Sequence, residues 1–214
     1  MGGPAFTFGF SQKIAFIRAT LPAGETFDLC RRPTGGGIVD HRNDWTYALV
    51  VPRGHPLYDE RATQSYRVVH ECLAHALTAL GQPAEVKRVC DPMDSCGSDL
   101  GRDGSRVVAP RSENAIPGVC FERAELYDVV NSTTGKKIAG AAQKRNKHGL
   151  LFQGSIEKTN VGPVDWDDFQ VRFTSALAQA MALEAAETPW PDLNEEEVTG
   201  LIEQYSDPQW IEYR

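Results

Sequence analysis

The spacing of hydrophobic and polar positions predicts strands followed by a helix in the first part of the chain. Phenylalanines at alternate positions between residues 6 and 10 indicate a strand with one aromatic face. A short strand ending at residues 30–32 and a β-branched and aromatic run at 45–51 predict two further strands. From about residue 60 to 80 the apolar positions recur at helical spacing, and Gly81 favours a helix end there.

The second half of the chain has the pattern of a hairpin, a further strand and two helices. Residues 126–130 and 137–142 flank a turn, and residues 150–156 continue the strand pattern. Asp165 and Asn194 each precede an apolar helical stripe and suit helix N-caps. This order predicts an α+β fold with a mixed, largely antiparallel sheet and packed helices, and we treat residues 1–214 as a single domain.

Composition and charge narrow the function classes. With 41% hydrophobic residues among 214, the chain can bury a core, which excludes disorder as its main state. The net charge of -7 argues against general nucleic-acid binding, although residues 129–156 contain five basic residues and no acid. No apolar run approaches the ~20 residues of a membrane helix, and the first residues lack a signal-peptide pattern, which favours the cytoplasm. Five scattered cysteines favour reduced thiols over a disulfide framework.

A glycine-rich segment after the second strand is the first candidate site. Three consecutive glycines, 35–37, allow the backbone to approach a ligand and to point N–H groups at an anion. The preceding Arg31 and Arg32 add positive charge and bidentate donors, so phosphate or carboxylate is the expected ligand. The alternative is a flexible turn with a solvated arginine pair, because short glycine runs are weak signals.

A lysine in the second hairpin strand is the other candidate. Strict alternation along a strand places Lys137 with Ala139 and Ala141, on the face opposite to Gly140. The small neighbours leave room for a ligand backbone or an acyl chain, and the ammonium can neutralise a carboxylate or phosphate. The alternative is a basic edge strand, in which lysine discourages aggregation.

Taken together, the two segments resemble the signatures of the lipoate-protein ligase and octanoyltransferase superfamily, whose members are related to the biotin-protein ligase catalytic domain. Residues 31–37 are similar to its arginine-arginine-Ser/Thr-triple-glycine signature, and His41 takes the place of the following histidine. Residues 137–143 resemble the lysine signature, 154–156 a shorter Gly-Ser element, and 205–210 a terminal Tyr-to-Trp element. The resemblance spans essentially the whole chain.

The resemblance implies a fold like that of class II aminoacyl-tRNA synthetases and biotin synthetases, with an acyl tunnel beside the glycine loop. It also implies attachment of a lipoyl or octanoyl group to a lysine of lipoyl carrier domains, with Lys137 as the catalytic lysine. The residues that it places around the acyl or adenylate group are Arg31, Arg32, Thr34, Gly35, Gly36, Gly37, His41, Gly140 and Ala141. Where family members carry a histidine before the Gly-Ser element, this chain has Phe152 and Gln153, which removes any role of that histidine.

Three activities are open within this resemblance. A ligase would use ATP and Mg²⁺ to form an acyl-adenylate, with Asp128 as a possible magnesium ligand; this is the branch that we favour from the sequence. An octanoyltransferase would take its acyl group from an acyl carrier protein through a thioester on Cys120, whose alternative role is that of a buried structural thiol. The third is a non-catalytic acyl-binding or accessory subunit.

The start of the chain differs from the family pattern. By the resemblance, relatives have ~40 further residues before the first strand, including a helix that packs on the sheet, and without them apolar surface is exposed. Either the start of the chain is misplaced, or this helix is absent and another chain completes the fold. We expect that a partner chain or neighbouring subunit covers the gap.

Overall fold

The computed structural model describes residues 4–89 and 123–213. The strands in these ranges are β1 Ala5–Phe8, β2 Asp28–Arg31, β3 Ile38–Asp40, β4 Asp44–Pro52, β5 Ala84–Val86, β6 Val129–Asn131, β7 Lys137–Asn146 and β8 Gly149–Glu157. The helices are α1 Ile14–Thr20, α2 Pro56–Asp59, α3 Ala62–Ala79, α4 Trp166–Ala180, α5 Glu195–Ser206 and α6 Pro208–Ile211, with a 3₁₀ turn at Lys158–Asn160.

The larger sheet contains five antiparallel strands in the order β4-β8-β7-β6-β5. Helices α3 and α4 pack against each other, and their apolar faces join one face of the sheet in the main core. Leu73 of α3, Phe169 of α4 and Phe152 of β8 are completely buried there. The opposite face of the sheet carries the polar side chains that alternate with these core residues. The predicted α+β class with a largely antiparallel sheet is confirmed.

The first three strands form a separate sheet. β1 pairs in parallel with β2 and antiparallel with β3, and Phe6, Phe8 and Ile17 fill a second, smaller core. The predicted first strand ends early, at Phe8, and Phe10 turns away to pack against Trp210. Gly9 follows the strand, and a side chain does not fit there because a Cβ atom would collide with the carbonyl of Gly36. The single sheet expected from the sequence is therefore two sheets that meet at the glycine loop.

The long helices confirm the predicted pattern. Asp165 accepts hydrogen bonds from two amides of the first turn of α4, and Asn194 does the same for α5, as expected for N-caps. The short elements α1, α2, α6, β3 and β5 were not predicted, because three to seven residues carry too little periodicity. No helix in residues 4–89 and 123–213 has the length and apolar character needed to span a bilayer. The single-domain boundaries and the covering partner chain stay predictions.

One irregularity in the larger sheet changes the expected orientation of the candidate lysine. Val129 pairs with Ala139 and Val130 with Lys137, so the register between β6 and β7 shifts by one residue. Such a bulge reverses the alternation on its N-terminal side. A Cβ atom on Gly140 would lie 2.8 Å from the Lys137 Nζ, so both residues face the same way. The predicted grouping of Lys137 with Ala139, opposite Gly140, was wrong for this reason.

Candidate functional site

A mainly apolar pocket of about 650 Å³ lies between the two sheets. Its walls combine residues of the small sheet and glycine loop with residues of β4, β7 and β8 in the larger sheet. The first group includes Thr7, Arg32, Gly36 and His41, and the second includes Lys137, Gly140, Ala141, Ala142, Gln153 and Ser155. Tyr205 of α5 lines the same pocket. The two segments singled out in the sequence thus face each other across one cavity.

Lys137 lies in the pocket wall as half of a buried ion pair. Its Nζ is 2.7 Å from Oδ2 of Asp128, and the two side chains are only 8% and 10% exposed. The same carboxylate oxygen accepts a hydrogen bond of 2.7 Å from the backbone N–H of Glu125. Asp128 is therefore fixed by its own loop, and it holds the lysine ammonium in one position.

These contacts also test Asp128 as a magnesium ligand. Mg²⁺ requires near-octahedral oxygen coordination, commonly with one or two carboxylates. At Asp128 an ammonium group already lies against the carboxylate, and residues 4–89 and 123–213 contain no cluster of three acidic, histidine or cysteine side chains suited to a metal. In the described part of the chain, Asp128 therefore fits the role of an ion-pair partner of Lys137 better than that of the magnesium ligand suggested by the sequence.

Two glycines in the sheet leave space for the groups around them. A Cβ atom at Gly140 would crowd both Cε and Nζ of Lys137 and lie 3.1 Å from Oδ1 of Asp128. A Cβ atom at Gly154 would overlap the ring of Tyr47, which pairs with it across β4 and β8. Burial raises the pKa of that tyrosine above its usual range, so its hydroxyl stays protonated. Both signature elements therefore contain glycine for a steric reason.

The glycine loop is organised around the Arg32 side chain. The guanidinium donates to the carbonyls of Gly35 and Gly37 at 3.0 and 2.9 Å. Gly36 lies between them with a φ of +93°, a left-handed conformation that favours glycine, and it lines the pocket. The Thr34 hydroxyl donates to the side-chain oxygen of Gln153 at 2.8 Å, across to the larger sheet. The loop thus presents its middle residue to the cavity.

A chain of polar side chains runs from Arg32 to Ser155 along the pocket wall. Arg32 donates to the Thr7 hydroxyl at 2.7 Å, and that hydroxyl lies 2.7 Å from Nε2 of His41. The Nδ1 of His41 is 2.8 Å from a carboxylate oxygen of Asp44, to which Ser155 also donates at 2.5 Å. Because Thr7 accepts from arginine, its proton is available to Nε2, and the proton of His41 then belongs on Nδ1. The network fixes His41 at the pocket without leaving it exposed.

Arg31 has a different environment from its neighbour. Its fully buried guanidinium donates to the carbonyls of Phe10, Gln12, Trp210 and Ile211 at distances from 2.8 to 3.2 Å. Trp210 returns a hydrogen bond of 2.9 Å from its indole N–H to the carbonyl of Arg31. These contacts attach α6 to β2, which indicates a structural role for Arg31. Arg31 also lines the pocket, and the ligand-binding role expected from the sequence stays a prediction.

The two cysteines in the described ranges are free thiols. Cys30 lies on the pocket wall, and burial raises the pKa of its thiol, partly opposed by the charge of Arg32. Burial also raises the pKa of Cys72, to about 11. Neither thiol is therefore activated as a thiolate at neutral pH. Cys120, the predicted nucleophile, lies outside the described residues.

Sequence reasoning missed part of this site. Thr7, Gln153 and Ser155 all line the pocket or its polar network, and none was among the predicted ligand-contacting residues. The sequence did indicate Thr7, because it lies between two buried phenylalanines on a strand. Its polar side chain must therefore face away from the small core.

Comparisons with known proteins identify the family to which this chain is related. A model of the Lipoyl protein ligase A/B catalytic domain family matches residues 3–159. The chain belongs to this family. The octanoyltransferase LipM of Macrococcus caseolyticus is 37% identical over 132 residues, which are 61% of this chain and 41% of that protein. LipM of Kyrpidia tusciae is 36% identical over 154 residues, 72% of this chain and 50% of that protein. The chain therefore spans half or less of the length of these two members of the family.

Solved structures show the same fold. The T. acidophilum protein Ta0514 with bound lipoic acid superposes with a TM-score of 0.66 at 17% identity, covering 99% of this chain and 82% of that one. A lipoate-protein ligase A bound with ATP gives a TM-score of 0.61 at 17% identity, covering 98% and 82%. The similarity in fold thus continues beyond residue 159, where the family match ends.

Proposed function

We propose that this protein is an octanoyltransferase that moves an octanoyl group from an acyl carrier protein to a lysine of a lipoyl carrier domain. The observation that carries this branch is the identity to LipM octanoyltransferases, 37% over 132 residues and 36% over 154 residues. The structural neighbours that bind ATP or lipoic acid are similar at 17% identity, which supports the fold and no finer assignment. This proposal replaces the ligase that the sequence alone favoured.

The proposed reaction has two steps. The thiolate of Cys120 attacks the carbonyl carbon of the carrier thioester, and the carrier leaves as its thiol after taking up a proton. The amine of the lipoyl-domain lysine then attacks the new thioester, so that an amide forms, Cys120 leaves as a thiolate and the amine proton passes to water. No ATP is consumed, because the thioester already activates the acyl group.

The described residues support the part of this proposal that concerns binding of the acyl group. The pocket volume of about 650 Å³ is within the range of small-molecule sites. Lys137 and Arg32 place two positive charges in its wall, and Asp128 fixes the first of them. We assign Lys137 to the carbonyl oxygen of the acyl group, where negative charge develops as each thioester is attacked.

A lipoate-protein ligase is the second candidate. Its support is the fold shared with an ATP-bound lipoate-protein ligase A and the basic glycine loop beside the pocket. In that reaction Lys137 and residues 31–37 would hold an acyl-adenylate made from ATP. The Asp128 carboxylate is already paired with Lys137, so the described residues do not provide a site for the Mg²⁺ ion of that reaction.

Mass spectrometry separates these activities. The protein is incubated with a lipoyl domain and octanoyl-loaded acyl carrier protein, and in parallel with lipoate, ATP and Mg²⁺. We expect octanoylation of the domain without ATP and an octanoyl adduct on Cys120 when the domain is omitted. Modification only in the ATP reaction would establish the ligase instead, and no modification in either would support the non-catalytic alternative.

Two variants sharpen this experiment. Cys120→Ser is expected to lose both the adduct and the transfer, whereas Cys90→Ser, the matched control, keeps them. A lipoyl domain with arginine at its target lysine shows that the acyl group goes to that amine. Transfer by Cys120→Ser at the wild-type rate would remove the thioester step from the proposal.

A further inference from the structure

A buried histidine on the helix side of the larger sheet has no part in the reaction proposed above. His70 lies on α3 and is 1% exposed. Its Nδ1 is 2.6 Å from the backbone carbonyl of Tyr127, which can only accept a hydrogen bond. The proton of the ring is therefore on Nδ1, and Nε2 has no hydrogen-bond partner among the described residues.

Burial favours the neutral form of this imidazole. The pKa of His70 is lowered, mainly by burial and also by the charge of Lys137, although the charge of Asp128 and the hydrogen bond to the Tyr127 carbonyl oppose this shift. Near neutral pH the ring is therefore a fixed, uncharged donor to one carbonyl. The apolar environment makes this hydrogen bond stronger than an exposed one would be.

The carbonyl that His70 holds belongs to a residue with an unusual backbone. Tyr127 has a φ of +68°, in the left-handed region that residues other than glycine, asparagine and aspartate rarely adopt. Its N–H donates to the carbonyl of Lys87 at 2.8 Å, and the N–H of Lys87 donates to the carbonyl of Asp128 at 2.9 Å. His70 supplies a side-chain contact that fixes the peptide between Tyr127 and Asp128.

The next residue along the chain holds the candidate catalytic lysine. Asp128 follows Tyr127 directly, and its carboxylate is 2.7 Å from the Nζ of Lys137. A rotation of the Tyr127 peptide would move the Asp128 side chain, and the ammonium that is paired with it would move as well. The path from His70 to the pocket therefore has three links, each a single hydrogen bond or covalent connection.

We propose that His70 is a positioning residue for Lys137, which acts by holding the left-handed Tyr127 peptide and thereby the Asp128 carboxylate. The importance of that position for acyl transfer rests on the function proposed above. The positioning itself does not, because the location of Lys137 can be measured without any substrate.

The test compares two replacements of similar size. His70→Asn keeps an N–H donor close to the position of Nδ1, whereas His70→Leu fills similar space without a donor. His75, an exposed histidine on the same helix, gives the matched controls His75→Asn and His75→Leu. The substrate-free measurement is the rate at which an amine-reactive acetylating reagent modifies Lys137, read by peptide mass spectrometry relative to Lys136 on the same strand hairpin.

We expect His70→Leu to increase the acetylation rate of Lys137 several-fold, and His70→Asn and both His75 variants to leave it near the wild-type rate. If the protein transfers octanoate as proposed, kcat falls about tenfold in His70→Leu with KM little changed, and asparagine restores most of it. Equal acetylation of Lys137 in the leucine and asparagine variants, each confirmed as folded by its unfolding transition, would overturn the positioning role. Absence of acyl transfer by the wild-type protein would instead reject the proposed function and leave the acetylation result valid.

Discussion

The Nζ of Lys137 lies 2.8 Å from the place that a Cβ atom would take on Gly140. The glycine and the lysine are three positions apart on β7, a distance at which strict alternation would put them on opposite faces. The shifted register between β6 and β7 brings them to the same face. The lysine side chain can then fold back over its own strand and reach Asp128. The small residue is required because the ammonium occupies its space.

Gly140→Ala is expected to displace the lysine with little cost to folding. The atoms that the new methyl group meets are the far end of a flexible side chain, which can move, and a carboxylate oxygen at 3.1 Å. A displacement of about 1 Å at a catalytic group can lower kcat about 100-fold. The measurements are octanoyl transfer to a lipoyl domain and the free energy of unfolding. Gly200→Ala, where a Cβ atom meets nothing within 4 Å, is the control; equal activity of the two variants would contradict the steric argument.

The ion pair between Lys137 and Asp128 predicts a strong coupling in stability. Removing one partner leaves the other charge buried, which costs about 3–5 kcal/mol, whereas removing both leaves no uncompensated charge. We therefore expect Lys137→Met and Asp128→Asn each to lower the free energy of unfolding, and the double variant to lose less than the sum of the two. Denaturant unfolding of the four proteins gives the coupling energy. Simple additivity would mean that the two groups do not interact in solution.

His70 predicts a dependence of stability on pH. Its folded-state pKa is lowered by burial, so between that value and the ordinary value of about 6.5 the unfolded chain binds a proton that the folded protein does not. The free energy of unfolding is then unaffected by this group above pH 6.5 and falls as the pH decreases below it, by at most about 1.4 kcal/mol per pH unit. His70→Asn removes the titrating group, and its unfolding free energy should fall less steeply between pH 7 and pH 5. Parallel curves for the two proteins would show that folding does not lower the pKa of His70.

The sequence predicted the long elements and both halves of the site for clear physical reasons. Helix periodicity and N-caps are local properties, so Asp165 and Asn194 identified where α4 and α5 begin without any knowledge of the fold. The glycine loop and the lysine strand were found because each carries unusual chemistry in a short segment. Their apposition across a pocket followed from the family resemblance and not from local pattern.

What the sequence could not predict depends on contacts between distant segments. The register shift at Val129 is a property of strand pairing, and it reversed the expected orientation of Lys137. Arg31 and Arg32 are adjacent and chemically identical, yet one is bound by carbonyls of α6 and the other by the glycine loop. The carbonyls of Phe10 and Gln12 and the path of residues 205–213 past β2 distinguish the two arginines, and nothing in the local sequence indicates these contacts.

The last prediction concerns Arg31 and distinguishes two roles for it, anchoring of the C-terminal helix α6 and binding of a ligand. Arg31→Met leaves the carbonyls of Phe10, Gln12, Trp210 and Ile211 without their buried donor, so α6 should detach from β2. Amide hydrogen exchange in residues 207–213 is expected to rise about tenfold or more, because local opening becomes easier.

The milder variant Trp210→Phe removes the indole N–H bond to the Arg31 carbonyl and reduces the ring that packs against Phe10 and Tyr205. It keeps the four carbonyl contacts of Arg31, so it should increase exchange in the same segment by a smaller factor. Both effects are structural, so they are expected with and without an acyl ligand. A ligand-binding role would give a different pattern, in which Arg31→Met weakens acyl binding while exchange in residues 207–213 stays at the wild-type rate. Because the guanidinium is fully buried against main-chain oxygens, we expect the first pattern.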